Sequence, residues 1–251
     1  MKNKKAVILI VIAIIVLGAA AFYFLTMQSE PDIADEEMVP ASSESMENLE
    51  PLEEIEPIDV SLDDSDALVR KLVGTLSSYP LVARWLTTDD LIRRFVATVD
   101  LVAKGDSPRR PMDFMDVVGD FQTLEMDGKT YIDPAGYRRY DRIAGAIASL
   151  DAKGIATLYK QLRLPIQRAY RDMGYPDEDF DETMKKAIFS LLETPIPEGT
   201  IYLEKDVMTY NMTDPKLEGL SRAQKHLLRM GPENAQLIQS KLREIVQYLG
   251  Y

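Results

Sequence analysis

The chain has 251 residues, no cysteine, a single histidine and a formal net charge of −12. Without cysteine there are no disulfides, thiolate metal sites, cysteine nucleophiles or lipoprotein signal, and with His226 alone no site that needs two histidines, such as an HExxH zinc centre. Residues 1–66 hold three lysines and fifteen acids, which leaves 26 basic and 26 acidic side chains for residues 67–251; that formally neutral part gives no electrostatic case for nucleic-acid binding, and none is expected.

In chain order, residues 1–5 carry Lys2, Lys4 and Lys5, and Ala6 to Leu25 is a run of twenty residues without a charge. As a helix this run is about 30 Å long, the thickness of a bilayer's hydrocarbon core. Lysines precede it and Glu30 is the next charge after it, so the positive-inside rule predicts a cytoplasmic N-terminus and translocation of everything that follows. Phe22, Tyr23 and Phe24 fall at the far interface, where aromatic rings are favoured. Ala19, Ala20 and Ala21 offer small residues for signal cleavage, but the apolar stretch outruns an ordinary h-region and continues through Phe22 to Leu25. The run is therefore read as a single-pass transmembrane anchor, with the lipid bilayer as its partner. Residues 26–62 are dense in Asp and Glu, interrupted by Pro31, Pro40, Pro51 and Pro57, and lack an apolar period. They are read as a disordered, self-repelling linker, which as a coil would average about 30–35 Å end to end.

Residues 63–251 are predicted to form one α-rich domain. Asp63, Asp64 and Asp66 stand ahead of a first helix, and Thr88 is placed to cap a helix from Asp89 that Gly105 ends, with Ile92, Phe95, Val96, Val99 and Ala103 on its core face. On that helix Asp89 with Arg93, and Asp90 with Arg94, have the spacing of local ion pairs. Between Phe121 and Ile132 the Asp127-Gly128 pair signals a hairpin. Helical stripes follow: Tyr140, Ile143, Ala144, Ile147 and Leu150, then Ile155 to Tyr170, which Pro165 should kink and Gly174 should stop. A stripe from Phe180 to Leu191 marks another helix. Ile201 to Leu203 and Val207 to Tyr210 read as two short strands, and helices over Ser221 to Arg229 and Pro232 to Leu249 complete the chain. The fold class expected is mainly α, with one or two small β-hairpins.

Few residues suggest chemistry. His226 lies in Lys225-His-Leu-Leu-Arg229 with no Gly-x-Ser-x-Gly nearby and reads as an ordinary helix residue; P-loop, GxGxxG and Ser-x-x-Lys signatures are absent. Asp177, Asp179 and Asp181 match the first ligand positions of a calcium loop, but Glu182 replaces the turn glycine and Ile188 the bidentate glutamate, so the acids read as helix caps. No catalytic residue, cofactor or metal is expected. Two arginine groups stand out: Arg109 and Arg110 between prolines, and Tyr137 with Arg138, Arg139 and Arg142. Guanidinium groups suit carboxylates and phosphates, so these six residues are the candidate partner-binding set if the groups meet, and ordinary ion pairs with the domain's acids if they do not. Chemistry through carboxylates would require acids converging in a cleft, and the positions of Arg109, Arg138, Asp141, Tyr170 and Tyr175 would discriminate.

Several blocks together resemble a bacterial family known as domain of unknown function 3014: Trp85-Leu86, Asp90-Leu-Ile-Arg-Arg-Phe-Val-Ala-Thr-Val-Asp100, Pro108-Arg109, Tyr137-Arg-Arg-Tyr-Asp141, Ala169-Tyr170, Gly174-Tyr-Pro176, Leu220-Ser221 and Leu227-Leu-Arg-Met-Gly-Pro232. The likeness spans about residues 63–251, and the order of anchor, acidic linker and domain is similar too. It implies a single-pass envelope protein of Gram-negative bacteria and brings no activity, cofactor or site residues. The expected function is a periplasmic interaction or scaffold domain displayed from the inner membrane, whose partner is an envelope protein or the cell wall. The alternative is a periplasmic enzyme acting on a cell-wall polymer through carboxylates.

Overall fold

The computed structural model describes residues 55–115, 117–207 and 209–251; the apolar run Ala6 to Leu25 and most of the acidic linker lie outside them. Among the described residues no helix is long and apolar enough to cross a membrane. The described part is mainly helical, with one small antiparallel sheet. Its elements are α1 (Ser65–Val73), α2 (Pro80–Trp85), α3 (Leu91–Ala103), β1 (Thr123–Met126), β2 (Lys129–Ile132), a 3₁₀ segment (Pro134–Tyr140), α4 (Asp141–Ala148), α5 (Ala152–Gln161), α6 (Arg163–Asp172), α7 (Phe180–Leu192), β3 (Tyr202–Lys205), β4 (Tyr210–Met212), α8 (Pro215–Glu218), α9 (Arg222–Leu228) and α10 (Pro232–Leu249).

Three apolar clusters hold these elements. In the first, Val96 and Val99 of α3 meet Ile166, Ala169 and Tyr170 of α6 and Phe180 and Ala187 of α7. Tyr170 lies between Tyr175, stacked at 4.5 Å, and Phe180, edge-on at 5.3 Å. In the second, Trp85 of α2 and Ile143, Ala144 and Ala146 of α4 pack on Ala235 and Ile238 of α10. The third lies under the sheet, where Ile132, Leu203 and Met212 cover Leu217 and Leu228.

The two predicted hairpins join into one sheet of order β1-β2-β3-β4, with Thr130 opposite Leu203 and Leu203 opposite Met212. Asp127 and Gly128 form the first turn with φ of +53° and +71°, the pair of positive angles that a tight I′ turn needs.

The start of α3 differs from the local expectation. Thr88 does not cap it; Asp90 precedes the helix in the left-handed region, at φ +60°, and the free N–H groups of Asp90 and Leu91 are bound by the carboxylate of Asp66 on α1 at 2.8 and 2.9 Å. With the helix beginning later, the ion pairs change partners. Arg93 takes Asp90 and Asp63 at 2.8 and 2.7 Å, Arg94 takes Asp113 at 2.8 Å, and Asp89 goes to Arg70 at 2.8 Å. At the other end Gly105, at φ +77°, closes α3 as expected, with the Asp106 N–H on the Leu101 carbonyl at 2.8 Å.

Pro165 acts more strongly than a kink. The helical stripe is divided at Leu162 into α5 and α6, and the carbonyl of Gln161, which a residue with an N–H at 165 would have bound, instead accepts the N–H of Ile58 at 2.7 Å. Arg168 on α6 adds hydrogen bonds to the Val60 carbonyl and the Asp59 carboxylate at 3.0 and 2.8 Å, and Leu62 is buried in the first cluster. Ile58 to Leu62, at the end of the acidic linker, are thus laid along the domain.

The acids from Asp177 to Glu182 serve α7 and the C-terminus. Asp179 accepts from the Asp181 N–H at 3.0 Å, and Asp181 accepts the hydroxyls of Tyr159 and Tyr251 at 2.9 and 2.5 Å. Burial and the facing carboxylate push both tyrosines upward.

Gly231, between α9 and α10, has φ +90° and ψ 160°, and a Cβ there would come within 2.5 Å of the Tyr137 ring. Only glycine tolerates such a backbone and such an approach. Gly231→Ala should therefore destabilise the domain by at least about 2 kcal/mol, against about 1 kcal/mol for Gly128→Ala, whose added Cβ meets nothing within 4 Å. Urea unfolding of the two variants compares them directly. Asp66→Ala should cost about 1–2 kcal/mol by removing the α3 cap, with Thr88→Ala close to neutral in the same assay.

Candidate functional site

A charged concavity of the domain is built around α9. Ser221 starts that helix with a capping box: its hydroxyl accepts the Gln224 N–H at 3.2 Å, and the Gln224 side-chain oxygen accepts the Ser221 N–H at 3.1 Å. Arg222, Lys225, His226 and Arg229 then follow at i, i+3, i+4 and i+7, which places them on one face. Gly105 lies against Ser221, where a Cβ would approach to 2.9 Å, and its carbonyl accepts the Ala223 N–H at 3.1 Å. This contact fixes the loop leaving α3 beside α9. From the other side β4 brings Tyr210 and Asn211, and α8 brings Glu218. These elements enclose an open groove of about 430 Å³.

Charge in the groove is only partly balanced. Lys225 pairs with Glu218 at 2.6 Å and Arg222 with Asp106 at 3.5 Å. Glu218 also accepts the Met212 N–H at 2.7 Å, and the Lys225 and Met212 hydrogen bonds hold its carboxyl below the usual range. Arg229 reaches the Tyr210 carbonyl at 3.5 Å and lies 6.0 Å from the centre of the Phe121 ring. Arg139 stands 5.8 Å from that same ring and 4.7 Å from the ring of Tyr140, donating to the Tyr140 hydroxyl at 2.9 Å and the Gly119 carbonyl at 3.2 Å. Its Nε is buried and has no acceptor. Two guanidinium groups thus share one aromatic ring. Among the described residues neither they nor the exposed Arg109 has a carboxylate partner.

These charges converge on His226, whose Nδ1 is 3.4 Å from the Ser107 hydroxyl. Burial lowers its pKa first, and Arg229, Arg109 and Arg139 lower it further. The imidazole is therefore neutral near pH 7 and presents one donor and one acceptor.

Of the arginines singled out in the sequence, Arg109 and Arg139 come from separate groups and both act on His226. Arg110, Arg138 and Arg142 are exposed and have no carboxylate partner among the described residues. Tyr137 turns inward instead, its ring against Gly231 and its carbonyl accepting from Asn234 at 3.2 Å. Burial, then Asp133, raises its hydroxyl pKa. In the sequence His226 reads as an ordinary helix residue and neither Lys225 nor Arg229 is singled out; the basic spacing from Arg222 to Arg229 is the signal that links them.

The discriminating positions go to different places. Tyr170 and Tyr175 stack in the first cluster, Asp141 accepts from Asn234 at 3.0 Å, and the charge of the exposed Arg109 acts on His226. Among the described residues Glu218 is the one carboxylate lining the groove, and it is held ionised. Among the described residues no group of three or more His, Asp or Glu is placed to hold a metal ion.

A histidine whose folded pKa is depressed binds fewer protons folded than unfolded, so its contribution to stability is complete above the unfolded value of 6.5 and is lost as pH falls below it. Unfolding midpoints at about pH 7.5 and about pH 5.5 should show that loss in the native chain, and His226→Gln should reduce it.

Comparison with known proteins adds one finding. A family model described as "Protein of unknown function (DUF3014)" matches residues 91–246, from the first residue of α3 into α10. No curated protein matches the chain, and no solved structure does. The matched residues include all those that form the groove, and the chain belongs to this family of proteins of unknown function, DUF3014.

Proposed function

We propose that this is a single-pass inner-membrane protein displaying a periplasmic interaction or scaffold domain, with the groove along α9 as its binding face. The observation that carries the reading is the uncompensated charge at that groove: Arg229 lines it, Arg109 and Arg139 act with it on His226, and none of the three has a carboxylate partner among the described residues. A surface that only had to fold would be expected to pair such groups with the domain's equally numerous acids. Placement at the membrane rests on the lysines ahead of the uncharged run Ala6 to Leu25 and on the acidic segment that follows. The partner expected is an envelope protein or the cell wall. The reading as a carboxylate enzyme has less support, since among the described residues no second acid lines the groove with Glu218, which stays ionised where a general acid needs a raised pKa.

Expressed in a Gram-negative host, the full chain should sediment with inner membranes and resist carbonate extraction. Its domain should be cut by protease added to spheroplasts and spared in intact cells. A photo-crosslinking residue at Asn211 should capture an envelope component that one at Lys153 on α5 does not. Protection of the domain in spheroplasts, or equal capture from both positions, would overturn the proposal.

A further inference from the structure

Beyond the paired Arg222 and Lys225, positive charge reaches the groove from three segments far apart in sequence: the end of α9 gives Arg229, which lines it, and the loop after α3 and the 3₁₀ segment give Arg109 and Arg139, whose charges act with it on the His226 ring. Arg139 and Arg229 are held half-buried against Phe121, so their positions are set before any ligand arrives. A carboxylate carries one charge and is satisfied by a single bidentate guanidinium. A phosphate monoester carries about −1.5 to −2 charges near neutral pH and presents three acceptor oxygens. Three guanidinium groups without a carboxylate partner among the described residues match the second in charge, and Arg229 with Ser107, Tyr210 and Asn211 along the wall supplies several donors for its oxygens. The groove, at about 430 Å³, has room for more than the phosphate group itself.

We propose that the groove binds a phosphate monoester carried on a larger molecule, with Arg229 lining the site, Arg109 and Arg139 supplying charge to it, and His226 taking up a proton from solvent as the anion binds. The proposal rests on the reading of the groove as the domain's binding face. The ionisable and charged groups facing His226 are Arg222, Lys225 and Arg229 on its own helix, Asp106 and Arg109 on the loop from α3, Arg139 on the 3₁₀ segment, Glu218 on α8 and Tyr210 on β4. Asp106 and Glu218 are already paired with Arg222 and Lys225, so the field at the imidazole is set by the three remaining cations. An incoming dianion reverses that field and favours the imidazolium, which then gives the anion a further donor.

His226 is the one histidine of the chain, so its ring resonances report on the site without ambiguity. The full chain, with histidine ring nitrogens labelled, is held in phosphatidylcholine nanodiscs and titrated with inorganic phosphate at constant ionic strength. The expected result is a saturable shift of the His226 signals, a rise in its pKa on saturation, and binding weakened at least about tenfold in Arg229→Gln and in Arg109→Gln. Arg109 is exposed, so its replacement leaves the fold intact and keeps the test meaningful if Arg229→Gln fails to fold. Adding phosphatidic acid to the nanodiscs, and separately glycerol phosphate, distinguishes a lipid source from a soluble one, and a response to either supports the proposal. A shift that grows linearly, that is unchanged in Arg109→Gln, or that acetate produces at the same concentrations would overturn it. Failure here with selective crosslinking still seen from Asn211 removes the ligand class and leaves the binding face; phosphate binding with no selective crosslinking removes the binding role in cells instead.

Discussion

Buried carbonyl groups at the ends of helices must find donors, and α10 supplies them to both halves of the domain. Asn234 sits within hydrogen-bond distance of the carbonyls of Tyr137 and Met230 at 3.2 and 2.9 Å and the carboxylate of Asp141 at 3.0 Å, tying the 3₁₀ segment and α4 to the turn after α9. One and a half turns on, Gln239 donates to the carbonyls of Leu191 and Thr194, each at 2.9 Å, at the end of α7. Both amides are almost fully buried, so an aliphatic residue at either position would strand carbonyls away from water. Because Asn234 holds Tyr137, and Tyr137 closes on Gly231, the same contacts set where the 3₁₀ segment leaves the sheet. Arg139, two residues after Tyr137, is delivered to Phe121 as a result.

A domain can be neutral in total and strongly uneven in detail. The acids of this one are concentrated at helix starts and in pairs on the far elements: Asp66 caps α3, Asp151 caps α5, Asp179 caps α7 and Asp214 caps α8. Asp63, Asp90 and Asp113 hold the arginines of α3. With these carboxylates committed by backbone geometry, Arg109, Arg139 and Arg229 are left without a carboxylate partner among the described residues, while Lys225 and Arg222 keep Glu218 and Asp106. The groove is thus a product of how the acids are used elsewhere, and summed charge does not reveal it.

Periodicity makes most of the helices legible in the sequence, because a stripe such as Ile92 to Ala103 has one arrangement that buries it. The hairpin at Asp127-Gly128 is legible for a similar reason, since few residues adopt its turn. What the sequence does not show is non-local. The cap of α3 comes from Asp66, on another helix, and no inspection of Thr88 to Leu91 would find it. Pairs at i, i+4 on α3 have favourable spacing, yet the left-handed Asp90 moves the helix start and sends Arg94 to Asp113. The arginine groups are visible as composition; their meeting at His226 depends on Gly105 lying under Ser221 and on the two hairpins joining into one sheet. Tyr137 does not belong with the candidate arginines because its ring fills the space that Gly231 leaves, a contact between segments nearly a hundred residues apart.

Ile58 to Leu62 have a mechanical meaning. The chain enters the domain through the hydrogen bond from Ile58 to Gln161 and the contacts of Arg168 with Asp59 and Val60. Tension arriving along the preceding residues would load α5 and α6 first, at the break that Pro165 creates. Neither helix contributes a residue to the groove. The point where the chain enters and the charged face therefore belong to different elements of the same framework, so a load on the one does not act directly on the residues of the other.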